Sequence, residues 1–577
     1  MIGHRGSSAW PALFVAGFIS LCLLLTRPFV EMGVIDDWSY IKTAQIFANT
    51  GHFVYNNWAT AMLGWQVPLS AAAIKLFGFS FTAARLYMFP VTAVAAYLCC
   101  RVLQRFDISP ANAVFGTMLV FLSPICLPLE FTSMTDIPGL LVVLVCVWMC
   151  QQSARSLTDG RAVAWLCAAA ATNVAGGTVR QVAWLGVLVM VPSTAYWLRR
   201  RRGMLPAGAI LFATGLFCVL AMVHWLGRQP HVVAEQPLLP QLRPYALLHL
   251  AAQLLRALFC LLFLLLPLSL ASLPRLRHSR KALLGTSLVF VIATGVFAAL
   301  PHLGQHGRPA TWLFPFMPHV LESLGADQSA LADMLGDRVV LPTWARIAVS
   351  VLTLTAGFAL FRDLMTRRAG KRLQLDAAIF WILGPFLLAN ILLLTPRGLT
   401  AMLFDRYLIP ILLIAVIMLL KIQPGDGAAR VTGISIAMLA FFSLVTLAAT
   451  HDFYSLYRAR VAAGEQLIAA GVPPTEFEGG FDYDGWTQLQ AGQYIFDDSN
   501  PNNPASGFVD LKLPEECSDW AAGGTPLVKP RYFILRSQVR CFQPAGFADV
   551  PYRNWLPPFH RALLIEKLRP GSSGAGP

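Results

Sequence analysis

This sequence is poor in charge. Asp, Glu, Lys and Arg make up 13% of its 577 residues, against roughly 25% in soluble domains. With 56% apolar residues and a mean hydropathy of +0.59, that shortage excludes a large soluble enzyme. Acids are scarcer than bases, 30 against 44, which leaves a net charge of +14. A cleavage site is missing from the first apolar run, which ends in Thr26, Arg27 and Pro28 rather than in small residues, so this run is expected to be retained. Cysteines in metal-ligand spacing are missing too. Cys22, Cys99, Cys100, Cys126, Cys146, Cys150, Cys167, Cys218 and Cys260 all lie in apolar runs, where a free thiol behaves as a small hydrophobe. Neither an internal repeat nor a long low-complexity segment is present, apart from the GSSGAGP end.

What the chain does have is long apolar runs. Stretches of roughly 20 apolar residues read as membrane-spanning helices. About thirteen are predicted, at 10–30, 80–100, 111–128, 137–152, 162–179, 181–198, 205–226, 246–271, 283–300, 345–361, 376–394, 407–421 and 431–450. Segment 61–79 is shorter and is expected to lie along the membrane surface. The predicted fold is therefore an α-helical polytopic membrane protein. Residues 1–450 would form the transmembrane domain and 451–577 a small mixed α/β domain outside the cytoplasm. In that tail, RARVAAGEQLIAAGV reads as a helix, GGFDYDGW and DDSNPNNP as turns, and RYFILRS and ALLIEKL as strands.

Basic residues in short loops mark the cytoplasmic side. With Arg5 inside, every strong cluster falls on that side: Arg101 and Arg105; Arg155 and Arg161; Arg199 to Arg202; Arg275, Arg277, Arg280 and Lys281; Arg362, Arg367, Arg368, Lys371 and Arg372; Lys421 and Arg430. This places the N-terminus inside, the C-terminal domain outside and the protein in a plasma or inner membrane. It also accounts for much of the positive charge without nucleic acid as a partner. Cys517 and Cys541 stand outside the apolar runs, on the predicted oxidising side, and are expected to pair.

Most acids fall on the outer side. Asp36 and Asp37 stand in EMGVIDDWSYIKTAQ, just past the first run, with Trp38 and Tyr40 beside them. A carboxylate at a low-dielectric boundary has a raised pKa, and a neighbouring carboxylate raises it further. That suits a general base for an acceptor hydroxyl; a solvated helix-end acid is the plainer reading. Glu130 and Asp136 lie in PLEFTSMTDIPGLL, where Thr135 or Asp136 can cap the helix announced by Pro138. Arg180 lies between two spans at an outer end, and Arg397 and Arg406 occur in TPRGLTAMLFDRYLIP. Arginine binds phosphate bidentately, so the three could form an anion site opposite the acids. Asp405 could instead simply pair with Arg406.

These pieces resemble the GT-C superfamily of glycosyltransferases that use polyprenyl-phosphate sugars. The likeness is to the branch with protein O-mannosyltransferases, lipid A aminoarabinose transferase and rhizobial galacturonosyltransferases. It is carried by Asp36-Asp37-x-x-Tyr40, by Glu130 with Thr135-Asp136-x-Pro138, by Arg180-Gln181, and by Arg406-Tyr407-Leu408-x-Pro410. It covers residues 10–420 in layout. The second acid of the pair is often Glu in that family and is Asp37 here. The resemblance implies Asp36 as the catalytic base with Asp37 beside it. It implies substrate contacts from Tyr40, Glu130, Asp136, Arg180, Gln181, Arg406 and Tyr407, to which the anion-site reading adds Arg397, and direct displacement with inversion. The donor would be a lipid-linked sugar, and the acceptor an envelope glycan, a lipid such as lipid A, or a protein. No cofactor is required by the residues; some relatives use a divalent cation, which the second-loop acids could hold. The rival reading is a secondary transporter or polyprenyl-lipid flippase. Transporters place ionisable groups near the bilayer midplane on broken helices, often within inverted repeats, whereas these acids cluster at one boundary.

Overall fold

The computed structural model describes residues 8–58, 61–233, 246–273, 314–325, 334–337, 340–369, 376–422, 431–492, 494–495, 525 and 527–569. The expected span at 283–300, the basic residues Arg5, Arg275, Arg277, Arg280, Lys281, Lys371, Arg372 and Arg430, the segment DDSNPNNP, the GSSGAGP end and Cys517 lie outside the described residues, as do the side chains of Arg367 and Arg368.

The chain is an α-helical polytopic membrane protein with a small sheet-bearing unit at its C-terminal end. Among the described residues, eight helices are long and apolar enough to cross a membrane: Phe81–Arg105, Asp136–Arg155, Asp159–Val179, Met204–Leu226, Ala246–Leu264, Thr343–Met365, Ala377–Thr400 and Gly433–Ala469. Each matches an expected run. Four other expected runs come out shorter or broken, for local reasons. Helix α1 (Trp10–Leu25) stops early, because Arg27 takes φ 53° and Pro28 follows. Two helices lie in the next loop, α2 (Asp37–Thr50) and α3 (Gln66–Phe77). After α4 (Met88–Arg105), α5 (Pro110–Phe121) ends ahead of Ser123 and Pro124. Helices α6 (Asp136–Arg155) and α7 (Asp159–Gly176) follow. The run at 181–198 is a 3-10 turn (Gln181–Trp184), a π turn (Gly186–Met190) and α8 (Val191–Trp197). A side chain inserted into the ladder breaks a helix. Asn173 of α7 does this: its Nδ2 donates to the Ala183 carbonyl at 2.9 Å, and its Oδ1 accepts from the Val187 amide at 2.7 Å.

The remaining long helices are α9 (Met204–Leu226), α10 (Ala246–Leu264), α11 (Thr343–Ala369), α12 (Ala377–Thr400), α13 (Ile409–Lys421) and α14 (Gly433–Ala469). Helix α14 has 37 residues. At 1.5 Å per residue it is about 55 Å long, well beyond a hydrocarbon core of about 30 Å. The expected domain boundary at 450 and the expected tail helix are thus parts of one rod, with no linker between them.

The C-terminal half of α14 supports the sheet. Ala459, Ala463 and Leu467 pack on Phe477, Ile534, Leu563 and Ile565. The strands are β1 (Phe477–Glu478), β2 (Tyr532–Leu535), β3 (Phe542–Pro544), β4 (Val550–Arg553) and β5 (His560–Leu568). Their order is β1-β2-β5-β3, with β4 also on β5. Only β1–β2 is parallel; Ile534 faces Ile565 across β2–β5. GGFDYDGW is not a turn throughout. Gly480, at φ 88°, supplies the turn, and Phe481–Gly492 forms α15, whose Asp484 accepts the Gly479 amide at 2.9 Å. This helix docks on α2: Trp38, Trp58 and Phe481 form an aromatic cluster with centroids 4.9–5.8 Å apart. Gly485 permits the approach, since a Cβ there would lie 2.8 Å from the Trp38 ring.

Candidate active site

Asp36 is the residue before α2, yet its carboxylate caps nothing in that helix. Ile35, at φ 60°, turns the chain so that Asp36 faces other elements. Its Oδ1 accepts from Trp58 Nε1 at 3.0 Å. Its Oδ2 lies 3.4 Å from Arg406 Nη2 and 3.7 Å from His319 Nε2. The side chain keeps 23% of its surface open. Burial pushes its pKa up, but the His319 contact, the Arg406 charge and the Trp58 bond outweigh it, so the carboxyl is held below the usual range. This corrects the expectation of a raised pKa: the acid is desolvated but surrounded by donors.

Asp37 turns away. It is fully buried in an ion pair with Arg85, at 2.7 Å to Nε and 2.9 Å to Nη2. It also accepts the amides of Val34 at 2.8 Å and Ser133 at 3.1 Å. Arg85 completes the knot by donating to the Val30 and Met32 carbonyls. The knot ties the segment after α1 to the segment before α6 and to the start of the Phe81–Arg105 span. The two adjacent acids therefore share no partner, and the neighbour effect expected between them does not contribute to Asp36.

Asp136 opens α6. Thr135, the residue before it, makes no capping hydrogen bond. Instead Asp136 pairs with Arg180, which also reaches Thr135 Oγ1 at 3.3 Å. Arg406 Nη1 lies 3.9 Å from its other oxygen. Gly139 leaves room for Arg180, whose Cδ would lie 3.3 Å from a Cβ at that position. Arg406 thus stands between Asp36 and Asp136. The described residues contain no group of three or more metal-ligating side chains.

Tyr407 gathers the arginines. The guanidinium carbons of Arg180, Arg397 and Arg406 lie 5.5, 5.2 and 6.0 Å from its ring centroid. Arg397 has no ion pair among the described residues, and the Nε atoms of Arg397 and Arg406 are buried without a hydrogen-bond partner. Tyr40 is buried and feels the charges of Asp36, Arg406, Asp136 and Arg180. Gln181 begins the 3-10 turn after Arg180 and is half-buried.

Glu130 is not in this group. It is fully buried, and neither carboxylate oxygen has a hydrogen-bond partner. Burial alone pushes its pKa well up. Its titratable neighbours include Cys22, Cys126 and Tyr454. Asp405 does not pair with the Arg406 side chain. It accepts the amides of Val320 at 3.2 Å, Leu321 at 2.6 Å and Arg406 at 2.7 Å, which pins segment 314–325 to the Arg406 turn.

No protein-family model matches the chain, and no curated protein matches it. Solved structures do. The crystal structure of ArnT from Cupriavidus metallidurans bound to undecaprenyl phosphate is similar at 11% identity, over 99% of this chain and 100% of that one, with a TM-score of 0.37. The apo state of ArnT is similar at 14% identity, over 80% and 82%, with a TM-score of 0.35. The oligosaccharyltransferase AglB from Archaeoglobus fulgidus, in complex with an inhibitory peptide and a dolichol-phosphate, is similar at 12% identity, over 90% and 64%, with a TM-score of 0.40. Likenesses this distant support no residue's role.

Three partners of the acids were not legible in advance: Arg85, Trp58 and His319. Arg85 carried a signal. It is a lone arginine near the end of an apolar run, as Arg180 is. His319 carried none, because nothing local connects it with Asp36.

Proposed function

We propose that the chain is a membrane glycosyltransferase of the GT-C kind. It would move a sugar from a polyprenyl-phosphate donor to a hydroxyl of an extracytoplasmic acceptor, with inversion at the anomeric carbon. One observation carries this reading. Three guanidinium groups crowd Tyr407 beside two carboxylates, Asp36 and Asp136, so the site holds an excess of positive charge around an ionised, part-open acid.

Positive groups stabilise charge that develops on a leaving phosphate. Arg397 and Arg406, with unpartnered Nε atoms, would take the donor phosphate, and Arg180 would hold Asp136 at the edge of the site. Asp36 would accept the proton of the acceptor hydroxyl as that oxygen bonds to the anomeric carbon. The bond from that carbon to the phosphate oxygen breaks, and polyprenyl phosphate leaves with the electron pair. A phosphate that draws Arg406 toward itself also removes one of the charges that hold the basicity of Asp36 down. The basic loops support a site and a C-terminal unit outside the cytoplasm, where they would face an envelope glycan, lipid or protein acceptor.

The test is sugar transfer from the polyprenyl-phosphate pool of native membranes, at matched expression. Asp36→Asn keeps the size of the side chain and removes its basicity. It should fold, bind undecaprenyl phosphate and lose transfer by about 10²-fold or more. Transfer at the wild-type rate would transfer the argument to a lipid-carrier flippase or a transporter.

A further inference from the structure

His319 is remote in sequence from every other group at the site, and its backbone is strained. It takes φ 105° and ψ −92°, a conformation that residues other than glycine rarely adopt and that persists only where its surroundings impose it. Both flanks are fixed. Asp405 binds the amides of Val320 and Leu321 and donates its own amide to the Pro318 carbonyl at 3.2 Å. Glu322 accepts the His319 amide at 3.3 Å, and the Phe404 ring lies 4.8 Å from the imidazole.

This strain brings Nε2 to 3.7 Å from Asp36 Oδ2. On the other side of the contact, Asp36 follows Ile35, a β-branched residue at φ 60°. Two disfavoured conformations, from distant parts of the chain, therefore aim at one carboxylate. The charged groups that face the imidazole are Arg406, Asp36 and Asp136. Burial, reinforced by Arg406, lowers the His319 pKa against the pull of the two acids, so the ring is neutral near pH 7. A neutral imidazole with its proton on Nε2 offers a donor to Asp36.

We propose that His319 is a positioning residue for sugar transfer: with Trp58 on Oδ1, it holds Oδ2 of Asp36 so that the carboxylate keeps one orientation toward the acceptor hydroxyl when Arg406 turns to the donor phosphate. The proposal rests on the reading of Asp36 as the base. His319 touches no reacting atom; the proton passes from the acceptor oxygen to Asp36.

Two variants separate positioning from a structural role. His319→Gly suits the positive φ and removes the donor. His319→Gln keeps an N–H near the place of Nε2. Transfer would be measured in native membranes with a metabolically radiolabelled polyprenyl-phosphate sugar pool, thermal unfolding and undecaprenyl phosphate binding in detergent. His319→Gly should unfold no lower than wild type and bind undecaprenyl phosphate equally well. Its maximal rate should fall by about 10²-fold, the cost of a misplaced catalytic group. A donor facing a carboxylate lowers its pKa, so removing the imidazole should shift the acidic limb of the pH–rate profile upward. His319→Gln should restore most of the rate and return the limb. A wild-type rate and limb in His319→Gly, or equal losses in both variants with an unmoved limb, would overturn the proposal while leaving Asp36 as the base. If Asp36→Asn itself transfers normally, both readings fall together.

Discussion

At the residue scale, the informative contrast is between two neighbours of the same type. Asp36 is part-open and held by donors from three other segments, whereas Asp37 is sealed against Arg85. Removing one partner of a buried ion pair leaves the other charge uncompensated, at a cost of about 3–5 kcal/mol. Asp37→Asn should therefore unfold well below wild type in detergent, while Asp36→Asn should unfold close to it. Equal stability of the two variants would show that the Asp37–Arg85 knot does not hold the loops together.

At the scale of elements, a break in a helix positions an arginine. A regular span at 181–198 would carry the ladder through Ala183 and Val187; Asn173 interrupts it and leaves Arg180 in extended backbone, at φ −156° and ψ 120°. Asn173→Leu keeps the approximate volume but strands the Ala183 carbonyl and the Val187 amide. Each buried group left unpaired costs roughly 1–3 kcal/mol. The variant should lose stability on thermal unfolding and also lose sugar transfer through a displaced Arg180. Unchanged unfolding would mean that the π turn forms without Asn173. The same physics explains why this break was not legible: residues 182–191, where it falls, carry no polar side chain, and the polar residue that breaks the ladder lies in the preceding helix.

Over the whole molecule, α14 is the strut that joins the membrane part to the sheet, and α15 returns the C-terminal unit to Trp38 and Trp58 beside Asp36. Cys541, between β2 and β3, is disulfide-bonded, and Cys22, Cys99, Cys100, Cys126, Cys146, Cys150, Cys167, Cys218 and Cys260 are free thiols. We propose Cys517 as the partner, consistent with an oxidising compartment on that side. Such a link would stabilise the C-terminal unit by about 3 kcal/mol. Thiol labelling of the unfolded, unreduced chain should then leave Cys517 and Cys541 unmodified and label them only after reduction. Labelling of both without reduction would refute the link and weaken the placement of the unit outside the cytoplasm.

The sequence by itself determined the helical membrane class, most of the spans and the residue types at the site. Apolar length and isolated charge are local properties that can be read along one chain. Asp36, Asp136, Arg180, Arg397 and Arg406 stood out because each is a charge beside a long apolar run. Which charge meets which was decided only by tertiary structure. Arg85 takes Asp37 out of the site, Glu130 is enclosed near Cys22 and Cys126, and Arg406 bridges Asp36 and Asp136. His319 reaches Asp36 only because Asp405 ties its segment to the Arg406 turn. An ionic partner is chosen by the packing of elements remote in sequence, and a desolvated charge must find one wherever the fold brings it close.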